Sequence, residues 1–200
     1  LGIDLAIPFD DSWFREQINL TLSEAGNSES YIRIVVTRGI GDINIDPSSC
    51  ASPLVLIYVT PAHIYPSEWY EKGIDLATVS IQRNSKNALN PGIKTGNYLN
   101  NVLAKIESRQ LGTHDALMLN SLGHLTESTT SNLFFVRDGG LMTPSLECGI
   151  LAGITRDIVI RLGQENGFRV EEGSWPIEIL ENTEEILSSS RSISGRILRN

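Results

Sequence analysis

An α+β fold in two parts is what this sequence predicts, and three observations predict it. Strand-like and helix-like runs succeed one another irregularly, with no internal repeat and no low-complexity segment. The first part contains one amphipathic run and three β-branched runs, enough for a small α/β unit. Residues 83–92, RNSKNALNPG, lack any apolar period and carry Asn turn formers, Pro91 and Gly92. They read as a connector, which places a small domain at residues 1–84 and a larger one at residues 85–200.

The elements follow in order. Asp10, Asp11 and Ser12 are N-cap residue types ahead of a helix whose apolar side carries Phe14, Ile18 and Leu22, and Gly26 with Asn27 ends it. That helix is expected to pack on a sheet. Residues 31–37 alternate, placing Ile32, Ile34 and Val36 on one face and Tyr31, Arg33 and Val35 on the other. Residues 53–60 are almost wholly apolar, and residues 74–82 make a third strand of the small part. Beyond the connector, Leu99, Val102, Leu103 and Ile106 have helical spacing, and residues 116–120 form a strand that turns at residues 121–123. Residues 133–136 and 141–143 flank Asp138-Gly139-Gly140, a hairpin signal. A last helix runs from Ile154 through Ile158, Val159 and Leu162 to Gly167.

Composition narrows the function. The 200 residues are 40% hydrophobic, ample for a buried core. With 24 acidic against 16 basic side chains the net charge is −8, so no broad cationic surface exists to neutralise nucleic-acid phosphates or an anionic membrane. Cys50 and Cys148 stand far apart without a CxxC pair, which suggests neither a disulfide scaffold nor a zinc site and makes a reducing cytoplasm the default. His63, His114 and His124 lie apart without ligand spacing, so no metal is expected. No apolar run reaches the ~20 residues of a membrane helix.

Three separated clusters carry the candidate chemistry: PGIKTGNYLNN at residues 91–101, HLTESTTSNLFFV at residues 124–136, and GILAGITRD at residues 149–157. Together, in this order and spacing, they resemble the class IV (branched-chain and D-amino-acid) aminotransferases, and the resemblance runs from about residue 2 to 190 with the YIRIVVTRG and DALMLN strands included. It implies fold type IV of the pyridoxal 5'-phosphate enzymes: a small N-terminal α/β domain, here incomplete, and a larger C-terminal domain with a barrel-like sheet and helices. It implies that Lys94 holds the cofactor covalently, that Glu127 meets its ring nitrogen, that Tyr98 touches its ring hydroxyl, and that Ile154, Thr155 and Ser190 hold its phosphate. Ser128 departs from the family, which usually has glycine there.

The residues support these roles unevenly when read alone. A lysine in a loop entering a helix after Pro91-Gly92 can be desolvated and become an amine nucleophile and a proton carrier, though most lysines are solvated surface groups. A glutamate among small hydroxyl residues could keep a ring nitrogen protonated and so make the ring an electron sink, yet a solvated strand-end carboxylate is the commoner case. Gly149 and Gly153 before Ile154 and Thr155 describe a helix N-terminus where backbone N–H groups converge on an anion, or simply a Thr cap. Tyr98 lies one helical turn after Lys94, and a core aromatic is a plausible alternative there.

For substrate, Tyr31 and Arg33 share a strand face, and the family's branched-chain members place a YIR segment near the substrate; Arg33 could pair with a carboxylate. The D-amino-acid members carry Arg and His shortly after TRG, whereas this chain has GIGDINIDP. The resemblance therefore implies transamination between an aliphatic L-amino acid and 2-oxoglutarate, in a homodimer. An aminodeoxychorismate lyase-like enzyme would use the same lysine and glutamate, and a non-catalytic or truncated member would keep the fold alone. The start at Leu1 and the stop at ISGRILRN are expected to be those of a fragment. The arginine that relatives supply to the phosphate from near their N-terminus has no counterpart in it.

Overall fold

Asp10 begins the first helix as its side-chain chemistry requires: in the computed structural model its carboxylate accepts from the Trp13 N–H at 2.9 Å, and α1 (Asp11–Ala25) then runs to Gly26, left-handed at φ 61°. The structure describes residues 7–189 and the backbone of residues 193–198. Strands β1 (Ser30–Thr37) and β2 (Leu54–Pro61) pair antiparallel, from Ser30↔Pro61 to Thr37↔Leu54, and α1 packs on β2. Gly39, at φ 92°, lets the intervening loop pass its own return; an added Cβ would lie 1.8 Å from the Ser52 carbonyl oxygen. None of residues 7–65 is buried, so this pair rests on its ladder and on half-covered side chains.

The chain divides into two compact units between Tyr65 and Pro66, ahead of the boundary expected at residues 84–85. The reason is the third strand. β3 (Ile74–Thr78) does not join β1 and β2; it pairs in parallel with β4 (Asp115–Leu119) through Leu76↔Asp115 to Thr78↔Leu117 and with β10 (Ile193–Leu198) through Gly195↔Ile74 to Leu198↔Ala77. Apolar alternation marks a strand but says nothing of its partner. A short helix, α2 (Ser67–Lys72), opens the second unit and had no clear periodic signal.

The second unit is built on one eight-stranded sheet in the order β5-β4-β3-β10-β9-β6-β7-β8, where β5 is Leu125–Ser128, β6 Leu133–Arg137, β7 Gly140–Pro144, β8 Val170–Gly173 and β9 Glu185–Ser188. A bridge between Glu127 and Asn132 joins β5 back to the chain entering β6, so the first six strands of that order close on themselves and β7 and β8 extend from the ring. This is the barrel-like sheet of the expected fold. The β6–β7 turn is the predicted hairpin, with Asp138 at φ 49° and Gly139 at φ 66°, two left-handed residues in succession.

Leu76, Leu117, Met118, Leu125, Leu133, Phe134 and Phe135 are fully buried, and the consecutive burial of Leu117 with Met118 and of Phe134 with Phe135 shows strands covered on both faces. Helix α3 (Leu99–Gln110) turns Ala104 and Ser108 inward, and Ala104 packs with Val79, Ala116 and Met118. Its larger apolar residues, Leu99, Val102, Leu103 and Ile106, are exposed, so the helical spacing located the helix but not its buried face. Helix α4 (Ile154–Glu165) likewise buries Arg156 while Ile158 and Leu162 stay exposed. No helix among the described residues is long and apolar enough to cross a membrane.

Candidate active site

One cleft in the second unit gathers the chemistry. It is a partly open cleft of about 700 Å³, its solvent-filled mouth included, between the segment after β3, the loop before α3, the β5–β6 turn and Leu151. Lys94, Tyr98 and Glu127 all line it, although they come from stretches of chain that only the closed sheet brings together.

Lys94 stands in an irregular loop rather than in a helix. Tight backbone bonds from Thr95 N to Ile93 O and from Tyr98 N to Gly96 O fold this loop, and α3 begins only at Leu99. The expected one-turn helical spacing to Tyr98 therefore does not apply; the loop itself brings the Lys94 ammonium to 3.4 Å from the Tyr98 hydroxyl, a long and weak hydrogen bond. The lysine side chain is exposed at the mouth of the cleft, so the chain's own packing does not desolvate it.

Glu127 is the opposite case. It is 4% exposed, which corrects the solvated strand-end reading that local sequence favours. Both carboxylate oxygens are occupied: Oε1 accepts from Arg83 Nε at 3.0 Å and lies 2.7 Å from Arg83 Nη2, while Oε2 accepts from Asn132 Nδ2 and the Leu151 backbone N–H, each at 3.0 Å. Burial pushes the Glu127 carboxyl above the usual glutamic acid range. The Arg83 charge, the Leu151 N–H, the Arg83 hydrogen bond and the charge of Lys94 oppose that rise, in this order of weight. The four donors among the described residues favour the ionised form and offset part of the cost of burial.

Beyond Asn132, and not among the residues lining the cleft, α4 starts at Gly153 with no side-chain cap. Thr155 thus does not cap the helix, and the first-turn N–H groups have no partner inside it. A Cβ on Gly153 would lie 2.2 Å from Asn132 Oδ1, which puts the helix start directly behind a residue that lines the cleft. Ile154 and Thr155 are exposed there. Ser131 shares a 2.6 Å hydroxyl contact with Ser188, so polar hydroxyls continue beside Asn132. Ser190 lies outside the described residues. Tyr31 and Arg33 lie in the first unit on β1, opposite Thr60 and Tyr58.

Sequence reading missed Arg83, Asn132 and the Leu151 N–H. Asn132 stands inside the HLTESTTSNLFFV cluster, and Leu151 inside GILAGITRD, but an amide or a backbone donor has no signature of its own. Arg83 was absorbed in the connector, where a buried arginine looks like any other. Ser128, which replaces the family's usual glycine, turns its hydroxyl onto Ser131, with oxygens 2.9 Å apart, and leaves Glu127 in the cleft.

The residues present fit pyridoxal 5'-phosphate. An amine at one side of the cleft, a buried anion held by four donors at its floor, and an uncapped helix start behind Asn132 match an aldehyde, a ring nitrogen and a phosphate in chemistry. The architecture is fold type IV of the pyridoxal-phosphate enzymes. The chain belongs to the class IV amino-transferase family, whose model matches residues 2–195. A putative branched-chain-amino-acid aminotransferase of Methanocaldococcus jannaschii is 38% identical over 180 residues, covering 86% of this chain and 62% of the relative. An aminodeoxychorismate lyase of Vibrio harveyi is 33% identical over 185 residues, covering 91% of this chain and 66% of that protein. Among solved structures, the branched-chain amino acid aminotransferase of Escherichia coli superposes at a TM-score of 0.90 and 28% identity, covering 96% of this chain and 65% of the other. The chain thus spans under two thirds of the length of these relatives.

Proposed function

We propose that this protein is a pyridoxal 5'-phosphate-dependent aminotransferase that moves the amino group of an aliphatic L-amino acid to 2-oxoglutarate. The observation that carries the reading is the shared cleft: the Lys94 amine and the buried Glu127 carboxylate line one space in the second unit. The cofactor supplies the carbonyl that takes up the amino group and a ring that accepts the electrons released at the substrate α-carbon.

The chain's own residues do the rest. Lys94, close to solvent and beside the Tyr98 hydroxyl, holds the cofactor and then carries the α-proton as an amine. Glu127, held by Arg83 and the Leu151 N–H, would meet the ring nitrogen, where its ionised form would favour ring protonation. The start of α4, with Ile154, Thr155 and with them Ser190, holds the phosphate. Arg33, with Tyr31 beside it on β1, takes the substrate carboxylate. Branched-chain relatives support the aliphatic donor. A homodimer in the cytoplasm is part of the same reading and rests on resemblance and cysteine usage.

The experiment is to add pyridoxal 5'-phosphate to the purified chain, look for the visible absorbance of a lysine-bound cofactor, and follow glutamate formation from leucine and 2-oxoglutarate. Lys94→Ala is expected to abolish the absorbance band and to lower turnover roughly a thousandfold or more. Colourless wild-type protein would contradict the reading. The lyase relative supports a second reading, and pyruvate release from aminodeoxychorismate with no exchange from leucine would favour it.

A further inference from the structure

Two cations act on Glu127, Arg83 by direct contact and Lys94 through its charge across the cleft, and they differ in kind. Arg83 arrives from the segment after β3 and Lys94 from the loop before α3; of the residues lining the cleft, these two and Glu127 carry charge, and Tyr98 can titrate. A guanidinium keeps its proton at any working pH, whereas an amine that shuttles a proton loses its charge during turnover. If the ionisation of Glu127 leaned on Lys94, it would change whenever Lys94 gave up its proton.

Arg83 supplies a second charge that turnover does not remove, and its geometry is fixed. Its side chain is 9% exposed and four of its five N–H directions are used: Nε and Nη2 converge on Glu127 Oε1, and Nη1 donates to Asn100 Oδ1 at 3.2 Å and to Asn101 Oδ1 at 3.1 Å. Both asparagines are fixed in turn, Asn100 through Nδ2 to the Gln82 carbonyl at 2.7 Å and Asn101 through Nδ2 to the Thr129 carbonyl at 2.6 Å. They lie in the first turn of α3, the helix that follows the Lys94 loop.

We propose that Arg83 is a positioning residue: aimed by Asn100 and Asn101, its guanidinium holds the Glu127 carboxylate ionised and in one orientation whatever the protonation of Lys94. The inference leans on the aminotransferase reading only for the proton that Lys94 carries. The buried ion pair is a fixed dipole at the floor of the cleft, and α3 ties its direction to the loop that presents the lysine.

The test reads the carboxyl group directly in protein free of cofactor. Infrared difference spectra over a pH series follow the protonated-acid carbonyl of Glu127, assigned by its loss in Glu127→Gln. Arg83→Gln is expected to raise the midpoint by about one to three pH units, the effect of deleting an adjacent opposite charge. Arg83→Lys is expected to recover part of the shift, because the charge returns without the fork, and Lys94→Ala is expected to move the midpoint far less than Arg83→Gln. Should Arg83→Gln fail to fold, Asn100→Ala keeps both charges and is expected to give a smaller upward shift. An unmoved midpoint in folded Arg83→Gln, or in Asn100→Ala where Arg83→Gln does not fold, overturns the proposal. So does a Lys94→Ala shift as large as the arginine's. Absorbance on adding pyridoxal 5'-phosphate is recorded separately, so a failure of the aminotransferase reading and a failure of this one are told apart.

Discussion

Glu127 couples its own titration to the stability of the fold. Its carboxyl is raised above the ordinary range by burial, so between the unfolded and folded values the native state binds the extra proton. The sign follows: stability from this group is fully present below the usual glutamic acid pKa and is lost as pH rises through the raised folded value. Glu127→Gln is expected to remove that fall, and thermal unfolding of the two proteins across a pH series checks it; parallel curves would contradict the assignment. A larger residue at Gly153 acts on the same group from behind. Gly153→Ala places a Cβ against Asn132, which anchors both Glu127 and the Leu151 carbonyl, and is expected to cost about 1–3 kcal/mol with a matching loss of pyridoxal 5'-phosphate affinity. Denaturant midpoints and an absorbance titration measure the two effects.

The β6–β7 hairpin and helix α4 show how local chemistry sets an element while the fold sets its use. The hairpin needs positive φ at Asp138 and Gly139, so Gly139→Ala is expected to lose about 1 kcal/mol by denaturant unfolding while leaving the cleft intact. Gly163 on α4 faces β8, and a Cβ there would meet Val170 at 2.8 Å, so the helix lies close on its strand. Asp138 and Gly139 are legible as punctuation in the sequence, whereas Gly163 lies unmarked inside the helical run. The face each helix buries is not legible either: α3 turns in Ala104 and Ser108 and leaves Leu99, Val102, Leu103 and Ile106 exposed, because contact with the sheet selects small residues at close approach.

Across the molecule, burial is concentrated in the second unit. Phe134 and Phe135 are buried on opposite faces of β6, and Phe134→Ala is expected to cost about 3–5 kcal/mol of global stability. Residues 30–61 contain no buried side chain, so their amides are expected to exchange far faster than those of β3, β4 and β6, which hydrogen exchange with mass spectrometry checks. Slow exchange in β1 and β2 would show that the two-stranded sheet is protected by more than its own ladder.

The sequence by itself determined most of what is local: the caps of α1, the strands at β1, β2 and β6, the Asp138-Gly139 turn, and the three clusters around Lys94, Glu127 and Thr155 that mark the family. Each depends on neighbours a few residues away, and a periodicity or a turn residue records them. The tertiary structure decided which strand β3 joins, that Glu127 is buried, and that Arg83, Asn132 and the Leu151 N–H surround it. Those facts depend on chain segments tens of residues apart that meet only when the sheet closes, and a linear pattern carries no term for that meeting.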